Sequence, residues 1–164
     1  MTDDEQDQSP TAAASPRVAA VNRAPSQAGT YARQGLADAE SPLLVLLVDD
    51  ERPIRVAVRR MLEEAGCDVV EAADATVALH LLLERRDAIG AIVSDVGLPG
   101  ISGPDLVRAA RVIRPKIAAL LMSGDTREKL VATGRIGADA LLLEKPFRSS
   151  DLIACLGAVI ERCR

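Results

Sequence analysis

Aromatic side chains are almost missing from this 164-residue chain, which has no Trp, one Tyr (Tyr31) and one Phe (Phe147). Apolar residues nevertheless make up 48% of the sequence, so a sizeable core can form. Leu, Val, Ile and Ala must fill that core, and such a filling suits a layered α/β fold. At this length, one domain is expected.

An excess of positive charge is also absent. The formal net charge is −4, and residues 1–40 contribute −3 of it through six acidic and three basic residues, which leaves −1 for the rest. Because neither part is basic, binding to the phosphate backbone has no electrostatic support. We therefore predict no nucleic-acid partner.

Long hydrophobic runs, a signal peptide and paired cysteines are missing too. The longest aliphatic run, Leu43–Val48, is too short to span a bilayer, and the first 15 residues hold no hydrophobic stretch, so we predict no membrane association. The three cysteines form no CxxC pair, which fits reduced thiols in a cytosolic protein. We expect a cytoplasmic location.

The N-terminal residues 1–41 differ in composition from the rest. They contain Pro10, Pro16 and Pro25, many Ala, Ser and Gln residues, and few large aliphatics. Such a segment buries too little apolar surface to offset its ordering entropy. We predict a disordered tail over residues 1–41 and one folded domain over residues 42–164.

Four short aliphatic runs each lead into polar residues. They are Leu43–Val48 before Asp49-Asp50-Glu51, Ala91–Ser94 before Asp95, Ile117–Met122 before Ser123, and Ala140–Glu144 before Lys145-Pro146. Continuous aliphatic runs are typical of buried parallel strands, and the functional groups of open α/β sheets gather at the carboxyl ends of the strands. We expect one pocket formed by Asp49, Asp50, Asp95, Ser123 and Lys145.

Helical spacing and helix signals alternate with the predicted strands. After the first run we predict a helix from Arg52-Pro53 to Ala65 closed by Gly66, a strand over 69–73, and a helix from the N-cap Asp74 to about Arg86. The remaining predicted elements are a strand over Ile89–Asp95, a helix ending at Ile113, a strand over Lys116–Met122, a short helix over Thr126–Thr133, a strand over Asp139–Glu144 and a helix over Ser150–Arg162. Five strand–helix alternations indicate parallel strands with right-handed crossovers.

The four motifs together resemble the receiver domain of two-component response regulators. They are Val48–Glu51, Ser94–Gly103, Met122–Gly124 and Glu144–Phe147, and the last two look most like receivers of hybrid sensor kinases. The resemblance implies a flavodoxin-like, doubly wound (βα)5 fold whose five-stranded parallel sheet has the order 2-1-3-4-5, with the site at the switch point between strands 1 and 3. It also implies a cis Lys145–Pro146 peptide.

The resemblance implies a role for each polar residue. Asp95 would be the phosphoacceptor, Lys145 and Ser123 would contact phosphoryl oxygens, and Mg2+ would be held by Asp49, Asp50, Asp95 and the carbonyl of Gly97. Oxygen ligands suit Mg2+, and a carboxylate that attacks phosphorus forms an acyl phosphate. Each residue alone could be a helix-start acid, a turn former, a cap or a solvated charge; their occurrence at four successive strand ends favours the functional interpretation.

The first helix is expected to carry a docking surface. Its apolar spacing turns Ile54, Ala57, Val58 and Met61 to the core. In the family, the outer face docks the histidine-bearing partner, a sensor histidine kinase or a histidine phosphotransfer protein. The residues that would form this surface here are Arg52, Val56, Arg59, Arg60, Pro146 and Phe147.

Three positions depart from the family pattern. Leu142 stands where receivers usually carry Tyr or Phe, so the aromatic readout of phosphorylation is missing or altered, or leucine simply fills the same space. Gly97 and Asp125 occupy the positions that modulate autodephosphorylation in the family. Gly97 would leave the phosphoryl group uncovered, whereas Asp125 would add an acid near the attacking water.

The resulting expectation is a signalling phosphoacceptor rather than a classical enzyme, monomeric or weakly dimeric. Only nineteen residues follow Lys145, so a stand-alone regulator that docks or passes phosphate is expected. The alternative is a pseudo-receiver that acts without phosphate. A haloacid-dehalogenase-type hydrolase would need a second Asp where Gly97 stands, and a flavodoxin would need a hydroxyl-rich loop where Asp49-Asp50-Glu51 stands.

Overall fold

The computed structural model describes residues 42–163, in which five strands alternate with five helices. The predicted disordered tail, residues 1–41, lies outside the described residues. The elements are β1 Leu44–Val48, α1 Arg52–Glu64, β2 Asp68–Ala72, α2 Ala75–Glu84, β3 Ile89–Asp95, α3 Gly103–Ile113, β4 Ala118–Ser123, α4 Arg127–Ala132, β5 Leu142–Glu144 and α5 Ser149–Cys163.

All five strands are parallel and form one sheet in the order β2-β1-β3-β4-β5, which confirms the predicted fold. Successive residues of β1 point to opposite faces of the sheet. Val45 and Leu47 pack in one aliphatic cluster with α1 and α5, whereas Leu46 and Val48 pack in another with α2 and α3. The two helical layers therefore cover both faces, and the polar strand ends meet at one edge.

Local signals place most helix starts where the sequence predicts them. Asp74 caps α2 by accepting a hydrogen bond from Val77 N at 2.8 Å. Ser102 and Thr126 cap α3 and α4 in the same way. Gly66 follows α1 with a φ of 87°, a left-handed conformation that glycine adopts without steric cost.

Several predicted boundaries are wrong by a few residues. β5 begins at Leu142 rather than Asp139, because the preceding chain turns and Ala140 N donates to Gly137 O. β4 begins at Ala118 rather than Lys116, because Ile117 N closes a turn onto Arg114 O. α2 ends at Glu84 rather than Arg86. The aliphatic runs locate the strands, but local turns decide where pairing starts.

The predicted inward face of α1 needs one correction. Val58 is buried, and Ile54 and Met61 are partly buried against the same cluster, as predicted. Ala57 is exposed instead, and Leu62 is buried in its place. The inward stripe therefore follows Ile54, Val58 and Leu62 at four-residue spacing, which leaves Ala57 on the flank. Among residues 42–163, no helix is long and apolar enough to cross a bilayer.

Candidate functional site

The carboxyl ends of four strands bring the predicted polar residues to one edge of the sheet. Asp49 follows β1, Asp95 ends β3, Ser123 ends β4, and Lys145 follows β5. Asp49 and Ser123 are buried, although both are polar. Buried polar groups need partners, and no buried side-chain nitrogen or oxygen of the described residues lacks one.

Lys145 joins two of the carboxylates. Its Nζ donates to Asp49 Oδ2 at 2.9 Å and to Asp95 Oδ1 at 2.7 Å. The side chain of Asp49 is 0% exposed, and those of Asp95 and Lys145 are 14% and 16% exposed. Burial lowers the pKa of Lys145, but the hydrogen bonds with Asp95 and Asp49 outweigh it, so the pKa is raised above its ordinary value. The ammonium therefore stays charged and offsets one of the two negative charges.

Backbone amides fix the other oxygens of these carboxylates. Asp49 Oδ1 accepts from Glu51 N at 2.9 Å, and Asp95 Oδ2 accepts from Gly97 N at 2.5 Å. Each carboxylate is thus held between one backbone N–H and the same ammonium. These contacts fix the orientation of the Asp95 carboxylate at the carboxyl end of β3.

Ser123 lies next to Lys145 at the end of β4. Its carbonyl accepts from Lys145 N at 2.7 Å, and its Oγ accepts from Asp125 N at 3.0 Å. Because a hydroxyl can donate one hydrogen bond while it accepts another, this contact leaves the Ser123 proton for a further acceptor.

Asp50 is exposed in the bend after β1, and the predicted three-carboxylate cluster does not form. Within residues 42–163, no group of three or more His, Cys, Asp or Glu side chains could together hold a metal ion. The ammonium of Lys145 bridges Asp49 and Asp95 only, and the exposed Asp50 lies outside this arrangement. The chemistry of the donor set still fits Mg2+, which binds through one or two carboxylates and keeps several waters.

Arg55 is a supporting residue that sequence reasoning missed. Its guanidinium donates to the carbonyl of Asp49 at 2.5 Å and pairs with Glu71 at 3.3 Å. It therefore ties the loop after β1 to the end of β2. In the sequence, only one feature distinguishes Arg55 from the exposed arginines of α1. It lies four residues, or about one helical turn, after Glu51.

Two glycines let the backbone approach Asp95. A Cβ at Gly103 would lie 2.0 Å from the carbonyl oxygen of Asp95, and a Cβ at Gly97 would lie 3.0 Å from Asp95 Oδ2. The first residue of α3 therefore packs directly against the backbone of the phosphoacceptor candidate. Glycine at the first position of a helix, where better helix formers are available, could have pointed to this contact.

The structure shows the contacts of Leu142 and Asp125, the two remaining departures from the family pattern. Leu142 is partly buried and packs against a small cluster that includes Val96 and Leu121. The carboxylate of Asp125 pairs with Lys129 at 2.5 Å, so a salt bridge engages the acid that the sequence placed near an attacking water. The Lys145–Pro146 peptide is cis, as the resemblance implied.

The outer face of α1 has the predicted exposure. Arg52, Arg59 and Arg60 are exposed, and Val56 is 40% exposed. Arg59 is already neutralised by Glu63 at 2.7 Å and Glu71 at 2.9 Å. Pro146 is exposed, whereas Phe147 is partly buried against the core. The outer face of α1 therefore presents the exposed apolar side chain of Val56 among exposed arginines.

Comparisons with known proteins agree with this architecture. Residues 45–157 match the family model of the response regulator receiver domain. The chain is 31% identical over 125 residues to Sensor kinase CckA of Brucella abortus, covering 76% of this chain and 13% of that protein. It is 34% identical over 122 residues to Response regulator MprA of Mycobacterium sp. strain KMS, covering 74% of this chain and 52% of that protein.

Solved structures give the same result. Chemotaxis protein CheY4 of Vibrio cholerae superposes with a TM-score of 0.62 at 33% identity, covering 71% of this chain and 98% of that one. The chain therefore spans nearly the whole of that solved protein but at most about half of the curated relatives described above.

Proposed function

Because this chain belongs to the family of response regulator receiver domains, the phosphoacceptors of two-component signalling, we propose that it accepts a phosphoryl group on Asp95 from a histidine-phosphorylated partner. The observation that carries the proposal is the contact of one buried ammonium, Lys145 Nζ, with both Asp49 and Asp95. A lysine that only stabilised the fold would need no second carboxylate at the mouth of the sheet.

The transfer follows from the groups around Asp95. A carboxylate oxygen of Asp95 attacks phosphorus, the bond between phosphorus and the imidazole nitrogen breaks, and its electron pair stays on the imidazole. Two of the three N–H groups of Lys145 bond carboxylates, which leaves the third for a phosphoryl oxygen. The hydroxyl of Ser123 donates to another phosphoryl oxygen.

Asp49, Asp50, Asp95 and the carbonyl of Gly97 would hold Mg2+. The ion would neutralise charge on the transferring oxygens when bound. The carboxylates of Asp49 and Asp95 against one ammonium leave a local charge of about −1, to which Asp50 would add another negative charge on turning toward the site, and this imbalance favours a divalent cation. Asp50 supports the assignment because it is exposed and is free to turn toward an ion.

The partner would be a sensor histidine kinase or a histidine phosphotransfer protein. It would dock on the surface formed by α1 and the residues after Lys145, namely Arg52, Val56, Arg59, Arg60, Pro146 and Phe147. The exposure of Val56 among arginines supports this placement. The domain would act by docking, or by passing its phosphoryl group to or from the partner.

A phosphorylation-independent interaction module is the second candidate. Leu142 favours it, because a leucine packed into the cluster with Val96 cannot provide the rotating aromatic ring of other receivers. The full set of Asp49, Asp95 and Lys145 contacts favours the phosphoacceptor, because a pure docking module gains nothing from a partly desolvated cation between two carboxylates.

Acetyl phosphate with Mg2+ separates the two candidates. We expect the wild-type chain to gain one phosphoryl group by intact mass, and Asp95→Asn to gain none, because an amide is a poor nucleophile. Asp87→Asn is the matched control, since Asp87 is exposed in the loop after α2. A wild-type chain that stays unlabelled at saturating donor would support the interaction module, and equal labelling of wild type and Asp95→Asn would remove Asp95 from the role.

A further inference from the structure

A cleft that contains none of the phosphorylation-site residues lies beside β4, on the side where β5 pairs only from Leu121 onward. It has a volume of about 510 Å3 and lies among α3, β4, the loop before β5 and the end of α5. This volume is within the range of ligand-binding clefts. Val107, Leu121 and Ile136 are buried residues of its lining.

Arginines dominate the charged lining of this cleft. Arg108, Arg111, Arg135 and Arg162 line it, and Asp139 is the one acidic residue of the lining among residues 42–163. Arg108 is paired with Asp105 at 2.6 Å, and Arg135 lies 3.8 Å from Asp125. Arg111 and Arg162 form no salt bridge with the described residues. The cleft is therefore positive although the domain as a whole carries about −1, so it favours an anionic occupant.

The edge of β4 adds backbone groups that could pair with an extended peptide. Leu121 N bonds Leu141 O, and Ile117 O accepts from the thiol of Cys163 at 3.8 Å, so both residues direct backbone groups toward this edge. Ala119 lies between them and directs its N–H and C=O the same way, because backbone groups alternate along a parallel strand. Pairing with β5 starts only at Leu121, and Ala119 has no backbone partner on this side within residues 42–163.

A backbone N–H and C=O without a strand partner beside arginines suit an extended acidic peptide better than a small anion, which could accept from the N–H but could not donate to the carbonyl. The chain itself contains such a segment. Asp3, Asp4, Glu5 and Asp7 fall within five consecutive positions, and the first basic residue after them is Arg17.

The chain before residue 42 joins the domain at the same end of the sheet as the cleft. It joins β1 at the amino end of that strand, and the cleft opens near the amino end of β4, two strands away in the same parallel sheet. Two strand spacings are about 10 Å. The 36 residues from Asp7 to Leu43 can span at most roughly 120 Å, so length does not prevent the contact. Attachment to the same chain raises the effective concentration of the segment.

We propose that the cleft bounded by Arg108, Arg111, Arg135 and Arg162 binds the acidic segment Asp3–Asp7 of the same chain. The carboxylates pair with the guanidinium groups, and the backbone of the segment hydrogen-bonds Ala119. The cleft lining shares no residue with the phosphorylation site, so the proposal does not require Asp95 to be the phosphoacceptor.

Cys163 lines the cleft and provides a chemical reporter in the full-length chain. In Gln6→Cys the new thiol lies inside the acidic segment without loss of a charge. Diamide takes up two electrons and two protons as the two thiols form a disulfide. We expect a link to Cys163 within one chain, by peptide mapping and intact mass, about ten-fold faster than in the control Ser26→Cys.

The control is stringent because Ser26 is closer to the domain along the chain, so random tail collisions would favour it over Gln6. At about 1 M salt, where the Debye length is about 3 Å, the ten-fold preference should disappear. Arg111→Gln combined with Arg162→Gln should abolish it at low salt, whereas Arg60→Gln on α1 should not. Equal or slower linking of Gln6→Cys, a preference that survives both treatments, or links formed only between two chains would overturn the proposal.

Discussion

Replacing Lys145 by Met is the most informative single perturbation of stability. The change removes the ammonium that contacts Asp49 and Asp95 and keeps most of the side-chain length. Two carboxylates would then lie together at the end of the sheet, and the one on Asp49 has no exposure to water. We expect a clear loss of stability without Mg2+ and no change of fold.

The size of the loss follows from burial and distance. Contacts of 2.9 and 2.7 Å each represent roughly 6 kcal/mol of attraction at an effective dielectric constant of about 20, and desolvation of the ions offsets most of it. Removing one partner of a buried pair costs about 3–5 kcal/mol. Because Asp95 and Lys145 are partly exposed, we expect about 3 kcal/mol, or roughly 10 °C in Tm for a domain of this size.

The assay is urea and thermal unfolding of wild type and Lys145→Met at pH 7 without divalent cations. Lys129→Met is the matched control, because it removes an exposed lysine from Asp125 and should cost under about 1 kcal/mol. Asp95→Asn added to Lys145→Met should recover part of the loss, since one uncompensated charge remains instead of two. Equal losses for the two lysine variants would refute the reasoning.

Two conditions sharpen this test. The folded-state pKa of Lys145 is raised, so its stabilisation should be fully present below its ordinary value of 10.5 and should be lost as pH rises through the folded-state value. Across pH 6–9 the difference between wild type and Lys145→Met should therefore stay constant. Mg2+ should stabilise Lys145→Met more than wild type, because the ion then meets less positive charge.

The remaining predictions concern the metal, docking and backbone contacts. Asp50→Asn should weaken Mg2+ binding about ten-fold by calorimetry and leave the metal-free Tm unchanged or higher; a lower Tm would indicate a structural role instead. Val56→Asp should slow phosphotransfer from a histidine-phosphorylated partner but not labelling by acetyl phosphate, whereas the equally exposed Val77→Asp should change neither; equal slowing by both donors would contradict docking. Gly103→Ala should destabilise the domain by about 1–3 kcal/mol in urea unfolding, because its Cβ would lie 2.0 Å from the carbonyl oxygen of Asp95. Gly124→Ala is the control and should not destabilise the domain, because no atom lies within 4 Å of its Cβ. Similar losses for the two variants would refute the contact.

Much of the fold could be predicted because four of the strands contain continuous aliphatic runs. Those runs locate β1, β3, β4 and β5, the shorter pair Val69-Val70 locates β2, and the alternation with helices determines a parallel sheet. The limits of β5 could not be predicted, because Ala140 and Leu141 are as apolar as the strand itself. Only the turn closed by Ala140 N and Gly137 O shows that pairing starts at Leu142.

The site residues at the strand ends were predictable, but the residues around them were less so. Each aliphatic run predicts a strand, and the polar residue after that run is therefore placed at the strand end; these residues are Asp49, Asp95, Ser123 and Lys145. Arg55 was not predictable, because its contact with the carbonyl of Asp49 depends on how α1 packs beside β2. The sequence also could not show that Lys145 separates the carboxylates, since that depends on side-chain conformation.

Identification of the phosphorylated residue in the wild-type chain tests the central claim most directly. After reaction with acetyl phosphate and Mg2+, sodium borohydride reduces an aspartyl phosphate to homoserine, which peptide mass spectrometry locates. We predict conversion at position 95 and at no other aspartate, and no conversion when Mg2+ is chelated before the donor is added. Conversion at position 49 or 50, or a borohydride-resistant phosphoester on Ser123, would contradict it.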